Sequence, residues 1–172
     1  MSLKKFAVIP LIIAVLAFCI QIVDQVLSPV MQPAPNNGFC WIAFQAWAVY
    51  FLGGCTVKGG IKGLIGYAIG ISGSILIMNM AGWFAPLQFF SIPLAVAIVA
   101  FCLIFLERTT WTSFIPAMFI GAGAYFVFMS YVDGATFVNA AITEIVYCAL
   151  GLTFGFITVT LRTAYEKSLK KS

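Results

Sequence analysis

Six long apolar stretches make up most of this chain, and almost nothing charged interrupts them. They run from about Phe6 to Ser28, Phe39 to Gly54, Ile61 to Asn79, Trp83 to Leu106, Ser113 to Val132 and Asn139 to Leu161. Turn-forming residues separate them: Ser28-Pro29, Pro33 to Gly38, Gly53 to Gly60, Gly82, Arg108 to Thr112 and Asp133-Gly134. In lipid every backbone amide needs a partner inside the protein, which leaves helices or a closed barrel. Barrel strands alternate apolar and polar residues over about 10 positions. These stretches are continuous and close to the roughly 20 residues a spanning helix needs. The expected fold is an all-α integral membrane protein with six transmembrane helices in a single domain, residues 1–172.

Composition excludes the other classes. The chain is 63% hydrophobic and 8% charged, against about 45–50% and about 25% in soluble domains. So few charges cannot cover a water-facing surface, and so much apolar mass cannot stay disordered. Six spans leave no room for a separate catalytic or nucleic-acid-binding domain.

Charge placement sets an expected orientation. Lys4 and Lys5 precede the first stretch, Lys58 and Lys62 lie between the second and third, and Arg108 lies between the fourth and fifth. Arg162, Lys167, Lys170 and Lys171 follow the sixth, so all nine basic residues fall on one side. The positive-inside rule then puts both termini in the cytoplasm. The net charge of +4 is this topology signal rather than a nucleic-acid footprint. In the basic tail, 162–172, Glu166, Lys167, Lys170 and Lys171 read as a solvated helix end or a contact with membrane lipid headgroups. Phe18 is too large for the position before a leader-peptide cut, so the first stretch reads as an uncleaved span.

The two halves of the text align. Ile9-Pro10-Leu11 falls on Ile92-Pro93-Leu94, and Ala17-Phe18-Cys19 on Ala100-Phe101-Cys102. Phe44 falls on Phe119, and Tyr50-Phe51 on Tyr125-Phe126; Ala68 to Ser72 falls on Ala149 to Thr153. The offsets are 83, 75 and 81, in the correct order. A three-span unit crosses an odd number of times, so a second copy enters the membrane upside down. The expectation is a 3+3 inverted repeat, about 6–80 and 83–161, with a solute path near its pseudo-twofold axis. Such paths favour short or interrupted spans at equivalent positions. The second stretch is the shortest, and the fifth carries Pro116, Gly121 and Gly123. Phe44, Gln45, Trp47, Pro116 and Phe119 are therefore pathway candidates, with Phe44 and Phe119 forming either a paired constriction or an ordinary packing pair.

Other features divide between packing and function. Gly63, Gly66, Gly70 and Gly73 form one stripe, and Gly151 and Gly155 repeat it; such stripes let helix backbones approach closely. Glu144 shares a face with Cys148, Gly151 and Gly155, so it points into the protein if those glycines pack. An intramembrane carboxyl is costly, and it serves as a proton site, a solute ligand, a vestibule charge or a tie between helices. Asp24 and Asp133 are expected at an acidic outer vestibule, and Glu107 in an ion pair with Arg108. The remaining polar groups in the stretches, among them Ser72 and Thr153, are neutral, which suits a small neutral molecule or a weak acid or base. There is no histidine, and Cys19, Cys40, Cys55, Cys102 and Cys148 are scattered singly. No metal, cofactor or enzymatic activity is expected.

At Trp41-Ile42-Ala43-Phe44, Ala46-Trp47-Ala48, Tyr50-Phe51, Gly53-Gly54 and Lys58-Gly59-Gly60 the chain resembles the YcdZ-like family of bacterial inner-membrane proteins, built on a domain of unknown function. Phe114 to Gly121 resembles that family's second signature segment. The resemblance spans nearly the whole chain. It implies a bacterial cytoplasmic-membrane protein, and it implies no activity and no site residues. Three functions remain open: a channel or facilitator for a small solute, a proton-coupled secondary transporter using Glu144, and a non-transporting scaffold or assembly subunit. Short helices with small-residue faces also suggest a homo-oligomer with one path per protomer.

Overall fold

The computed structural model describes residues 3–170. Lys171 of the basic tail lies outside the described residues. Six helices follow in order: α1 (Val8–Leu27), α2 (Cys40–Leu52), α3 (Val57–Trp83), α4 (Ser91–Ile104), α5 (Ile115–Tyr131) and α6 (Phe137–Leu169). A single turn, Leu3–Phe6, precedes α1, and no strand occurs among the described residues. Four helical segments are long and apolar enough to cross a membrane: Leu3–Val30, Val57–Trp83, Ala85–Arg108 and Phe137–Leu169.

The helices differ in length from the six similar spans read in the sequence. At 13 and 17 residues, α2 and α5 extend only about 20 and 26 Å at 1.5 Å per residue. The third stretch is longer than its apolar text, because Thr56 caps it by accepting from the Gly59 amide and Gly82 does not end it. The sixth runs on to Leu169, where Arg162 and Glu166 pair at 2.8 Å one turn apart. The fourth is helical in its middle only. Ala85–Phe90 is a tighter turn with Gln88 at φ 47°, and α4 starts where the Ser91 hydroxyl donates to the Ala81 carbonyl at 2.5 Å. Glu107 and Arg108 do not form the expected ion pair: adjacent residues in the turn Phe105–Arg108 do not face each other, and Arg162–Glu166 is the ion pair found among the described residues.

Two close helix pairs make the bundle: α2 lies along α6, and α5 lies along α3. Around them α1 rests on α6, α4 rests on α3, and α3 crosses α6. The glycine stripes make these pairings. A side-chain carbon at Gly151 would clash with the carbonyl oxygen of Ala43, and one at Gly70 with the carbonyl oxygen of Met118. Gly155 lies against the Tyr50 ring, and Gly66 against Ala117. Dispersion between backbones this close drives association where lipid supplies no hydrophobic force.

Polar ties fix the ends. The Tyr165 hydroxyl donates to the Lys5 carbonyl at 2.7 Å, so both described chain ends lie at one end of the bundle. Lys62 donates to the Ser113 hydroxyl at 3.2 Å, and the Lys58 ammonium stands 5.9 Å from the centre of the Trp111 ring. Near the start of α6, the Thr143 hydroxyl donates to the Gln32 carbonyl at 2.8 Å and so holds the connection between α1 and α2.

Gly151→Ala is expected to cost about 1–3 kcal/mol, because its new carbon meets Ala43 and Ala46 backbone and side-chain atoms that cannot swing away. Gly123→Ala, with open space at that position, should leave stability unchanged. Thermal unfolding of both variants in mild detergent, followed by tryptophan fluorescence, checks the contrast.

Candidate functional site

A capping box starts α6: the Thr136 side chain accepts from the Asn139 amide, and the Asn139 side chain accepts from the Thr136 amide. About four turns on, the packing of Gly151 and Gly155 against α2 sets the rotation of the helix, which aims Glu144 and Cys148 inward. Glu144 is 0% exposed, and neither carboxyl oxygen has a hydrogen-bond partner. Across from it on α3 stands Tyr67, also 0% exposed, with its hydroxyl equally unpartnered. Tyr67 lies within electrostatic reach of both Glu144 and Cys148. Tyr125 of α5 completes the surroundings, its hydroxyl donated to the Phe137 carbonyl at 2.9 Å. No Lys or Arg is buried among the described residues. The result is an acidic group sealed in an apolar interior, able to take a proton or to accept donors from a ligand, and without a cation of its own.

A second buried acid is tied to the same helix, α6, through Tyr147. Asp24, at 6% exposed, accepts the Tyr147 hydroxyl at 2.6 Å and the Phe39 amide at 3.1 Å. Asp24 therefore does not line an outer vestibule; it ties α1 to α6 and caps the start of α2. Its room comes from Gly38, whose φ of +85° and missing side chain admit the carboxylate. Asp133 is exposed on the short connection between α5 and α6. The connection between α1 and α2 folds over the same region. Asn36 donates to the carbonyls of Ser28, Met31 and Pro33 at 3.0, 3.1 and 2.9 Å, and Thr143, next to Glu144, holds Gln32.

The other sequence candidates are dispersed. Trp47 is buried against Phe154, ring centres 5.8 Å apart, with its indole nitrogen unpartnered. Gln45 and Pro116 are exposed on the outside of the bundle. Phe44 is 39% exposed and stacks on Trp47, while Phe119, 61% exposed, lines an apolar cleft of about 240 Å³ with Val99, Met118 and Phe126. The two rings therefore form no paired constriction. Ser72 and Thr153 face outward, each hydroxyl donated at 2.8 Å to its own helix, at Ala68 and Ala149. They sit two residues past Gly70 and Gly151, more than half a turn from the packed face. Sequence reasoning missed Tyr67 and Tyr147. Tyr67 adjoins Gly66 within the glycine stripe, and Tyr147 stands three residues from Glu144; both spacings put them on interior faces.

A family model described as protein of unknown function (DUF1097) matches residues 10–162. The chain belongs to this family. Comparison with curated proteins and comparison with solved structures each gave no match. The DUF1097 span takes in Asp24, Tyr67, Glu144 and Tyr147, so the whole buried site lies within the shared domain.

Tyr147→Phe removes one of the two donors to a buried carboxylate, and a cost of about 1–3 kcal/mol is expected. Thr153→Val, which loses only an exposed bond to its own helix, should stay within about 0.5 kcal/mol of the parent. Denaturant titration in detergent micelles compares the two.

Proposed function

We propose that this DUF1097 protein moves a small solute across a membrane, as two inverted three-helix units meeting at Glu144. The carrying observation is that fully buried carboxyl, held between α3 and α6 with both oxygens free of partners. Intramembrane acids without a structural partner mark solute or proton routes. The inverted arrangement is supported by the contacts themselves. Exchanging α1–α3 for α4–α6 turns the α2–α6 pairing into α5–α3, and the α1–α6 pairing into α4–α3. The close approach of Gly151 to Ala43 becomes that of Gly70 to Met118, at the offsets of 81 and 75 that align the sequence. The same offset of 81 turns Tyr67 into Cys148, and these two side chains are neighbours, so the pair marks the pseudo-axis beside Glu144. On this reading α2 and α5 are the short spans flanking the path, and all six helices lie in the bilayer with both chain ends on the cytoplasmic, positive side. The resemblance to bacterial inner-membrane proteins points to that membrane.

Between the two modes of transport, coupled exchange of access is favoured over a standing pore. Glu144, Tyr67, Tyr125 and Tyr147 are all 0% exposed, and a pore needs a continuous wetted route. A carrier with a proton-binding Glu144 accounts for the closed interior and the unpartnered acid together. The scaffold reading leaves the expense of that acid unexplained.

Stopped-flow light scattering of proteoliposomes against urea, glycerol, short aldehydes, formate, acetate and simple amine salts tests this. At least one solute should equilibrate faster than in empty liposomes, and Glu144→Gln should remove the response of that flux to an imposed pH gradient. Flux equal to empty liposomes for the entire panel would sink the transport reading.

A further inference from the structure

The charge arrangement around Glu144 restricts what can bind there. A carboxylate ionised in a sealed interior costs several kcal/mol unless a positive charge accompanies it. The groups facing it from each packed helix supply none. Tyr67 from α3 and Tyr125 from α5 lie within electrostatic reach of it, while Asp24 of α1 and Cys40 of α2 form a separate buried group around Tyr147. On α6 itself the titratable neighbours are Tyr147 and Cys148. Every one of these ionises to an anion or stays neutral, the chain has no histidine, and no Lys or Arg is buried among the described residues. The positive charge that the ionised acid requires must come from outside the chain.

Two sources meet that requirement, a proton or a cationic ligand, and one carboxyl cannot hold both. We propose, building on the transport reading above, that Glu144 and Tyr67 bind a small donor-bearing monocation, of ammonium or guanidinium type, in exchange for the Glu144 proton. As the cation enters, the carboxyl O–H bond breaks, the proton leaves to water, and the site stays neutral throughout. Each turnover therefore exchanges one proton for one monocation. The unpartnered Tyr67 hydroxyl and both carboxyl oxygens are acceptors waiting for donors, which suits a ligand with several N–H groups better than a bare cation. The buried rings of Tyr67, Tyr125 and Tyr147 add a surrounding that favours organic cations.

Proteoliposomes with an acidic lumen and a trapped pH dye provide the test, using guanidinium as the probe and donor-free tetramethylammonium as the comparison. External guanidinium should drive lumen alkalinisation well above empty liposomes, and tetramethylammonium should do so more weakly. Glu144→Gln should abolish the guanidinium response, and Glu144→Asp should retain part of it. Tyr67→Phe should weaken apparent guanidinium affinity by about tenfold, the loss of one hydrogen bond to the bound pair. Gel filtration of each variant monitors folding, and if Glu144→Gln does not fold, Glu144→Asp and Tyr67→Phe decide alone. Guanidinium uptake without proton exit overturns the exchange, as does a Tyr67→Phe protein with parental affinity. If neutral solutes cross in the light-scattering assay while no cation moves protons, the cation site falls and transport stands. If neither assay responds, both readings fall.

Discussion

The architecture depends on backbone-to-backbone contact at two glycines. Gly151 lets α6 press on the Ala43 carbonyl of α2, and Gly70 lets α3 press on the Met118 carbonyl of α5. Buried apolar area cannot hold helices together in lipid, since the alternative solvent is equally apolar. Close surfaces and their dispersion energy take that place. Any side chain at these positions would hold the paired helices apart and rotate the faces they present.

That rotation is what makes a site. With Gly151 and Gly155 fixed against α2, residues one and two turns earlier on the same face, Cys148 and Glu144, turn into the bundle. Gly66 and Gly70 fix α3 against α5, and Tyr67 lies buried there against Gly121, within electrostatic reach of Glu144. The packing elements thus force together a carboxyl and a hydroxyl that no hydrogen bond satisfies. Asp24 shows the opposite solution within the same core, a buried acid answered by Tyr147 and the Phe39 amide. The contrast separates a carboxyl with hydrogen-bond donors from one without.

Much of the fold was legible because apolar runs and turn residues are local signals. The approximate positions of all six helices follow from them, while the caps at Thr56 and Thr136 start the third and sixth helices a few residues before their apolar text. The lengths were less legible. α6 continues past Leu161 on polar residues joined by the Arg162–Glu166 pair, and α4 yields to tighter turns at both ends. For the site, Glu144 could be read from its spacing to the glycines. Phe44, Gln45, Pro116, Phe119, Ser72 and Thr153 could not be sorted inward from outward, because in lipid both faces of a helix are apolar and the polar–apolar contrast that betrays a buried face in water is missing.

The sequence by itself determined that this chain is a set of apolar helices, roughly where each lies, and that one acid lies on a glycine-bearing face. These are properties of single segments, set by hydropathy, caps and period. Only the tertiary structure decided that Asp24 is satisfied and Glu144 is not, and that Tyr67 is buried within electrostatic reach of the carboxyl while Ser72 is exposed. Partnership of a buried polar group is a property of two or more helices at once, and their relative rotation emerges from contacts that no one segment contains.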